Sequence, residues 1–78
     1  MSEKLKYMGK RQQFLADARE LEIRINGLIT SLRDKLDPTE TAEKLDTEAI
    51  ASEAMNLARL HIDYLGVLMQ VAKIDKVI

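Results

Sequence analysis

The sequence predicts an all-α fold: an antiparallel helical hairpin, with helices at about residues 3–35 and 38–75, that dimerises into a four-helix bundle. Three observations lead to this prediction. Helix-favouring residues dominate the composition, with three glycines and one proline among 78 residues. Apolar residues recur at helical spacing in both halves of the chain. Strong helix-breaking signals concentrate near residue 37. A chain of this length forms one small domain, residues 1–78.

The first half of the chain carries a regular seam of mostly apolar residues. Its members alternate in steps of four and three, which is the a and d spacing of a helix that packs lengthwise against another helix. Arg11 is the one charged member, and the opposite face of the helix is polar. We therefore predict a single amphipathic helix over residues 3–35. The seam consists of Tyr7, Arg11, Phe14, Ala18, Leu21, Ile25, Leu28 and Leu32.

The connection is predicted from a cluster of turn and capping residues. Asp37 can accept hydrogen bonds from the first amides of a new helix, Pro38 suits the first helical position, and Glu40 completes a capping box. We predict that the second helix begins at Pro38 and continues to about Asp75. The segment Asp46–Glu48 offers a second start, in which a short helical turn precedes a break.

The second half of the chain is apolar on nearly three quarters of its helical circumference. Helix 1 can cover one face, so the remaining apolar surface needs another partner. The predicted seam within the hairpin joins Phe14, Ala18, Leu21, Ile25, Leu28 and Leu32 to Ala54, Leu57, His61 and Leu68. The predicted dimer interface consists of Leu60, Ile62, Val67, Met69 and Ile74.

Counting outward from Asp37 gives a predicted register between the two helices. Ala18 falls opposite residues 55–57, and Gly9 falls opposite Gly66. Two glycines at one level would allow the backbones to approach closely, although a chance coincidence explains the pairing equally well.

Charge predicts how two hairpins meet. Residues 1–19 carry five bases and two acids, a balance of +3, whereas residues 20–60 carry nine acids and five bases, a balance of −4. The open end of the hairpin is therefore basic, and the end with the connection is acidic. An antiparallel pair sets each basic end against an acidic end, so we predict an antiparallel homodimer.

Residue types that carry chemistry are scarce in this chain. It has no cysteine and a single histidine, His61, and Asp63 lies on a different face of the helix. No nucleophilic triad, phosphate-binding glycine loop or calcium loop is present. We predict a protein that is not an enzyme and holds no metal or cofactor. The uncharged run at residues 64–72 is nine residues long, against about 20 for a membrane span, so no membrane partner is expected.

We therefore expect a small cytoplasmic, non-enzymatic protein that works by interaction and self-association, such as an adaptor, assembly or regulatory accessory factor. One alternative is a dimeric hairpin that binds nucleic acid through its basic open end, although the net charge of −1 disfavours it. Another is a chaperone-like or secretion accessory protein that binds a heterologous protein through the apolar face of helix 2. The candidate nucleic-acid contacts are Lys4, Lys6, Lys10 and Arg11.

Overall fold

The fold is a hairpin of two long helices. The computed structural model describes the backbone of residues 2–77 and the side chains of residues 3–77. Helix α1 spans Ser2–Lys35, a short 3-10 helix spans Ala42–Lys44, and helix α2 spans Thr47–Val77. The two long helices pack lengthwise into a rod of 63 × 14 × 14 Å, and the described part of the chain contains no strand. The all-α helical hairpin predicted from the sequence is confirmed.

Helix α1 ends where the sequence predicts. The amide of Leu36 donates to the carbonyl of Leu32 at 2.9 Å, which closes the last turn. Arg33 and Lys35 lie in that turn, where positive charge interacts favourably with the helix dipole. The predicted boundary at residue 35 is confirmed.

The predicted start of helix 2 at Pro38 is wrong. Oδ1 of Asp37 accepts hydrogen bonds from the amide and the hydroxyl of Thr39 at 2.9 and 2.7 Å, and these bonds lower the pKa of the Asp37 carboxyl. The amide of Glu40 donates to the carbonyl of Asp37 at 3.2 Å. Asp37 therefore organises a turn, and Pro38 takes the turn position that its fixed φ angle favours.

Helix α2 begins at Thr47 because Asp46 caps it. Oδ1 of Asp46 accepts a hydrogen bond from the amide of Ala49 at 3.0 Å, and its carbonyl accepts one from the amide of Ile50 at 3.0 Å. The side chain thus satisfies one of the amides that a helix start leaves without an intrahelical partner. The second start considered for the sequence, at Asp46–Glu48, is confirmed.

The seam between the helices follows the heptad pattern on both sides. On α1 it contains the predicted residues, all of them buried or half-buried. Among the described side chains, Ala18, Val71 and Ile74 are the buried ones, and no side chain is fully sealed from solvent. The core of a single hairpin is therefore thin. The seam of α2 consists of Ile50, Glu53, Leu57, Leu60, Tyr64, Val67, Val71 and Ile74.

Cross-helix polar pairs define the register. Arg11 lies against Asp75, and Glu22 against Tyr64. Ala18 lies between these pairs, at about the level of Leu68. The register counted from Asp37 is therefore wrong by about three helical turns, because much of residues 36–46 is not α-helical.

The predicted close approach of the helices at Gly9 and Gly66 is also absent from the described structure. A Cβ atom added at Gly9 or Gly66 would meet no atom within 4 Å. Neither glycine is needed for a close approach of the helices within one hairpin.

Candidate interaction surface

One face of α2 remains apolar and exposed after α1 has packed against the seam. Met55, Ile62 and Met69 are spaced by seven residues and keep 67, 69 and 61% of their surfaces exposed. Neighbouring stripes add more exposed apolar side chains and His61. We call this surface the outer face. It consists of Ala51, Ala54, Met55, Ala58, His61, Ile62, Leu65, Leu68, Met69 and Ala72.

The sequence assigned several α2 residues to the wrong side of the helix. Ala54, His61 and Leu68, predicted for the seam within the hairpin, are exposed on the outer face. The larger side chains of the neighbouring stripe occupy the seam instead, because Leu, Val and Ile bury more apolar area there than Ala and His. Of the predicted seam residues on α2, Leu57 is placed as expected.

The residues predicted for a dimer interface are affected in the same way, because α2 turns a different face toward α1 than the sequence predicts. Leu60 and Val67 are half-buried and Ile74 is buried, because all three belong to the seam that faces α1. Within one hairpin, α1 therefore already covers most of their surface. Ile62 and Met69 lie on the outer face and remain candidates for such a contact.

The outer face continues onto one flank of α1. In an antiparallel heptad pair, the positions that directly follow the d residues lie on the same side of both helices. On α2 these positions include His61 and Leu68. On α1 they include Met8, Ile29 and Leu36, which are all exposed. The apolar surface available to a partner is thus wider than one helix.

A polar cluster interrupts the seam near the connection. Glu53 accepts hydrogen bonds from the Ser31 hydroxyl at 2.9 and 3.0 Å and from Lys35 Nζ at 2.8 Å. Lys35 also donates to Ser31 Oγ at 2.9 Å. The hydrogen bond from Lys35, followed by that from Ser31, lowers the pKa of the Glu53 carboxyl. Sequence reasoning missed Glu53, although its spacing from Ile50 and Leu57 continues the alternation of three and four.

A second polar pair closes the seam at the open end. Nε of Arg11 donates to Oδ1 of Asp75 at 2.7 Å. This contact explains why a charged residue occupies the apolar seam of α1. Of the four candidate nucleic-acid contacts, Arg11 is thus engaged within the hairpin, whereas Lys4, Lys6 and Lys10 are exposed.

Tyr64 fixes the middle of the seam. Its hydroxyl donates to Oε1 of Glu22 at 2.7 Å. This hydrogen bond, with some burial and the negative charge of Glu22, raises the pKa of Tyr64. Glu22, the polar residue on the flank of α1, is therefore hydrogen-bonded to a residue of the seam.

Comparisons with known proteins give no relative to guide the interpretation of this surface. Protein-family models, curated proteins and solved structures yield no significant match to the chain.

Two further features of the described residues concern ligands and membranes. No group of three or more histidine, cysteine or acidic side chains within residues 2–77 is arranged to hold a metal ion. Neither helix, over the same residues, combines the length and apolar character that crossing a membrane requires.

Proposed function

We propose that this protein is a small, non-enzymatic interaction protein that self-associates through the outer face of α2 and forms a homodimeric four-helix bundle. The observation that supports this proposal most directly is the exposure of Met55, Ile62 and Met69 on a hairpin whose seam is already filled. Monomeric soluble proteins rarely leave a long contiguous apolar surface in water. Burial against a second copy removes that surface from solvent.

The dimensions of the rod favour a lengthwise contact. The rod extends 63 Å along its axis and 14 Å across it, so its side offers a partner several times the area of its end. A stable interface buries ~800 Å² per partner, which favours the larger surface. A second copy therefore fits along the rod rather than at its end.

The charge distribution along the rod supports an antiparallel arrangement. Residues 33–48, around the connection, carry six acids and three bases. Residues 3–11 and 73–77, which form the open end, carry six bases and two acids. Two rods side by side attract when the basic end of each lies beside the acidic end of the other. Each contact is weak and screened by salt, but the contacts act together on orientation.

The dependence of thermal unfolding on protein concentration tests the proposal. For a homodimer the midpoint temperature rises with concentration, because association stabilises only the folded chain. We expect this rise for the natural chain and its loss in Ile62→Ser. Ile23→Ser is the matched control, because Ile23 is 72% exposed but lies on α1, away from the seam and the outer face.

The control distinguishes the effect of changing the outer face from the effect of replacing an exposed isoleucine elsewhere on the hairpin. Ile23→Ser should keep the concentration dependence. A midpoint that is independent of concentration in the natural chain would argue against self-association and favour a heterologous partner for the outer face.

A further inference from the structure

The outer face is nearly symmetric about the middle of α2. Its stripe of largest exposure, Met55, Ile62 and Met69, has Ile62 at the midpoint. The other two stripes of the outer face are centred within one residue of the same position; they are Ala54, His61 and Leu68, and Ala51, Ala58, Leu65 and Ala72.

The length of α2 agrees with this centre. The helix spans Thr47–Val77, which is 31 residues, so Ile62 is also its middle residue. If two copies of α2 pack in opposite directions about Ile62, the helices overlap over their whole length. No part of the apolar face then extends beyond the partner.

We propose that two copies pack outer face to outer face about a twofold axis that passes between the two α2 helices at the level of Ile62. This inference rests on the self-association proposed above and adds the register of the two helices and the position of the axis. Met55 of each copy then lies opposite Met69 of the second copy, and the two Ile62 side chains meet at the axis. A twofold interface of this kind is isologous, because both copies contribute the same surface.

The charges at the two ends of the rod agree with this register. With the axis at Ile62, the acidic start of α2 in one copy lies beside the carboxyl end of α2 in the other. Glu48 is the acid of the first turn of α2, and Lys76 is the base of its last turn. Each end of the interface therefore sets an acid of one copy beside a base of the other, and the two ends are equivalent by symmetry.

A pair of nitroxide spin labels tests the orientation and the register together. The chain has no cysteine, so Ser52→Cys and Lys73→Cys each introduce a single labelling site. Both residues are exposed on the polar stripe beside the outer face, where a label does not displace the apolar contacts. Ser52 and Lys73 also lie at nearly equal distances along the helix from Ile62.

The proposal predicts long distances in each singly labelled dimer. Along the helix axis, the two Ser52 positions are about 30 Å apart and the two Lys73 positions about 33 Å apart, at 1.5 Å per residue. When the Ser52→Cys and Lys73→Cys chains are mixed, the heterodimer should show a short distance, because the two labels then lie at almost the same level.

The distance pattern separates failure of the register from failure of self-association. A short distance in each singly labelled sample would mean a parallel dimer and would overturn the inference, while the proposed self-association would stand. Strongly unequal distances for the two sites would place the axis elsewhere along α2 and would also overturn it. The lack of any distance between chains, in samples that are helical by circular dichroism, would contradict the proposed self-association itself.

Discussion

Nζ of Lys35 lies 2.8 Å from Oε1 of Glu53, so the two charged residues meet across a seam that is otherwise largely apolar. Ser31 joins them through hydrogen bonds to the same carboxylate. A polar group at one heptad position often specifies the register of helix pairing, because any shift leaves that group without its partners. At the open end, Arg11 and Asp75 form the corresponding contact. The two pairs fix the register of the hairpin from both ends.

The Glu53 cluster predicts a specific loss of stability in acid. Its hydrogen bonds to Lys35 and Ser31 hold the folded-state pKa of Glu53 below the ordinary value of 4.5. The resulting stabilisation is fully present above the pKa of the unfolded chain and is lost as the pH falls through the folded-state pKa. We expect the difference in midpoint temperature between the natural chain and Glu53→Gln to shrink between pH 7 and pH 3.

Thermal unfolding followed by circular dichroism measures this difference. Glu20→Gln is the control, because Glu20 forms an exposed pair with Arg24 within one helix, and such pairs contribute little. A Glu53→Gln chain as stable as the natural one at pH 7 would contradict the role assigned to the cluster.

The contact between Tyr64 and Glu22 predicts an altered tyrosine titration. Loss of the hydroxyl proton removes the donor of the hydrogen bond and places two negative charges together, so the pKa of Tyr64 lies above its ordinary value of 10.0. In a Tyr7→Phe chain, absorbance of the tyrosinate reports Tyr64 alone. We expect its titration midpoint to move back toward the ordinary value when Glu22→Ala is added, and an unchanged midpoint would rule the contact out in solution.

Asp46 is predicted to control the start of α2. Asp46→Ala removes the side-chain bond to the amide of Ala49 and should destabilise the hairpin by about 1 kcal/mol. Asp46→Asn keeps an oxygen that can accept the same bond and should be close to neutral. Urea unfolding of both variants measures the difference. Equal destabilisation by the two substitutions would show that the cap does not act through this hydrogen bond.

Truncation of one isoleucine in the seam and one on the outer face should give different results. Ile74 is buried against α1, so Ile74→Ala should destabilise the hairpin by about 2–4 kcal/mol at every protein concentration. Ile62 is exposed in a single hairpin, so Ile62→Ala should lower stability only at concentrations where the natural chain associates. Unfolding at several concentrations distinguishes the two patterns, and a concentration-independent loss for Ile62→Ala would assign Ile62 to the hairpin itself.

The sequence predicts the hairpin and α1 well, because the seam of α1 is one apolar stripe on a polar helix. It does not predict which face of α2 packs against α1, since three adjacent stripes of that helix are apolar and spacing alone cannot choose among them. Side-chain size decides, and it places Leu60, Val67 and Ile74 toward α1. The apolar pattern does not include Glu53 for a related reason. This seam residue is charged, and its partners are the polar side chains of Lys35 and Ser31.

The connection shows a second limit of prediction from local pattern. Asp37 and Asp46 both stand where a cap belongs, and both are followed by residues that suit a helix start. The choice depends on where each carboxylate finds its hydrogen bonds. Asp37 bonds to Thr39 two residues on and forms a turn, whereas Asp46 bonds to Ala49 three residues on and forms a cap. The register between the helices follows from this choice.

In the proposed dimer, two copies of this chain cover each other's outer face. Light scattering coupled to size-exclusion chromatography, at low micromolar concentration and moderate salt, measures whether this dimer forms. We expect a mass about twice the 8.9 kDa of one chain, and a return to the mass of one chain in a variant with Met55, Ile62 and Met69 all replaced by serine. A well-folded natural chain that elutes with the mass of a single copy would contradict the proposed dimer.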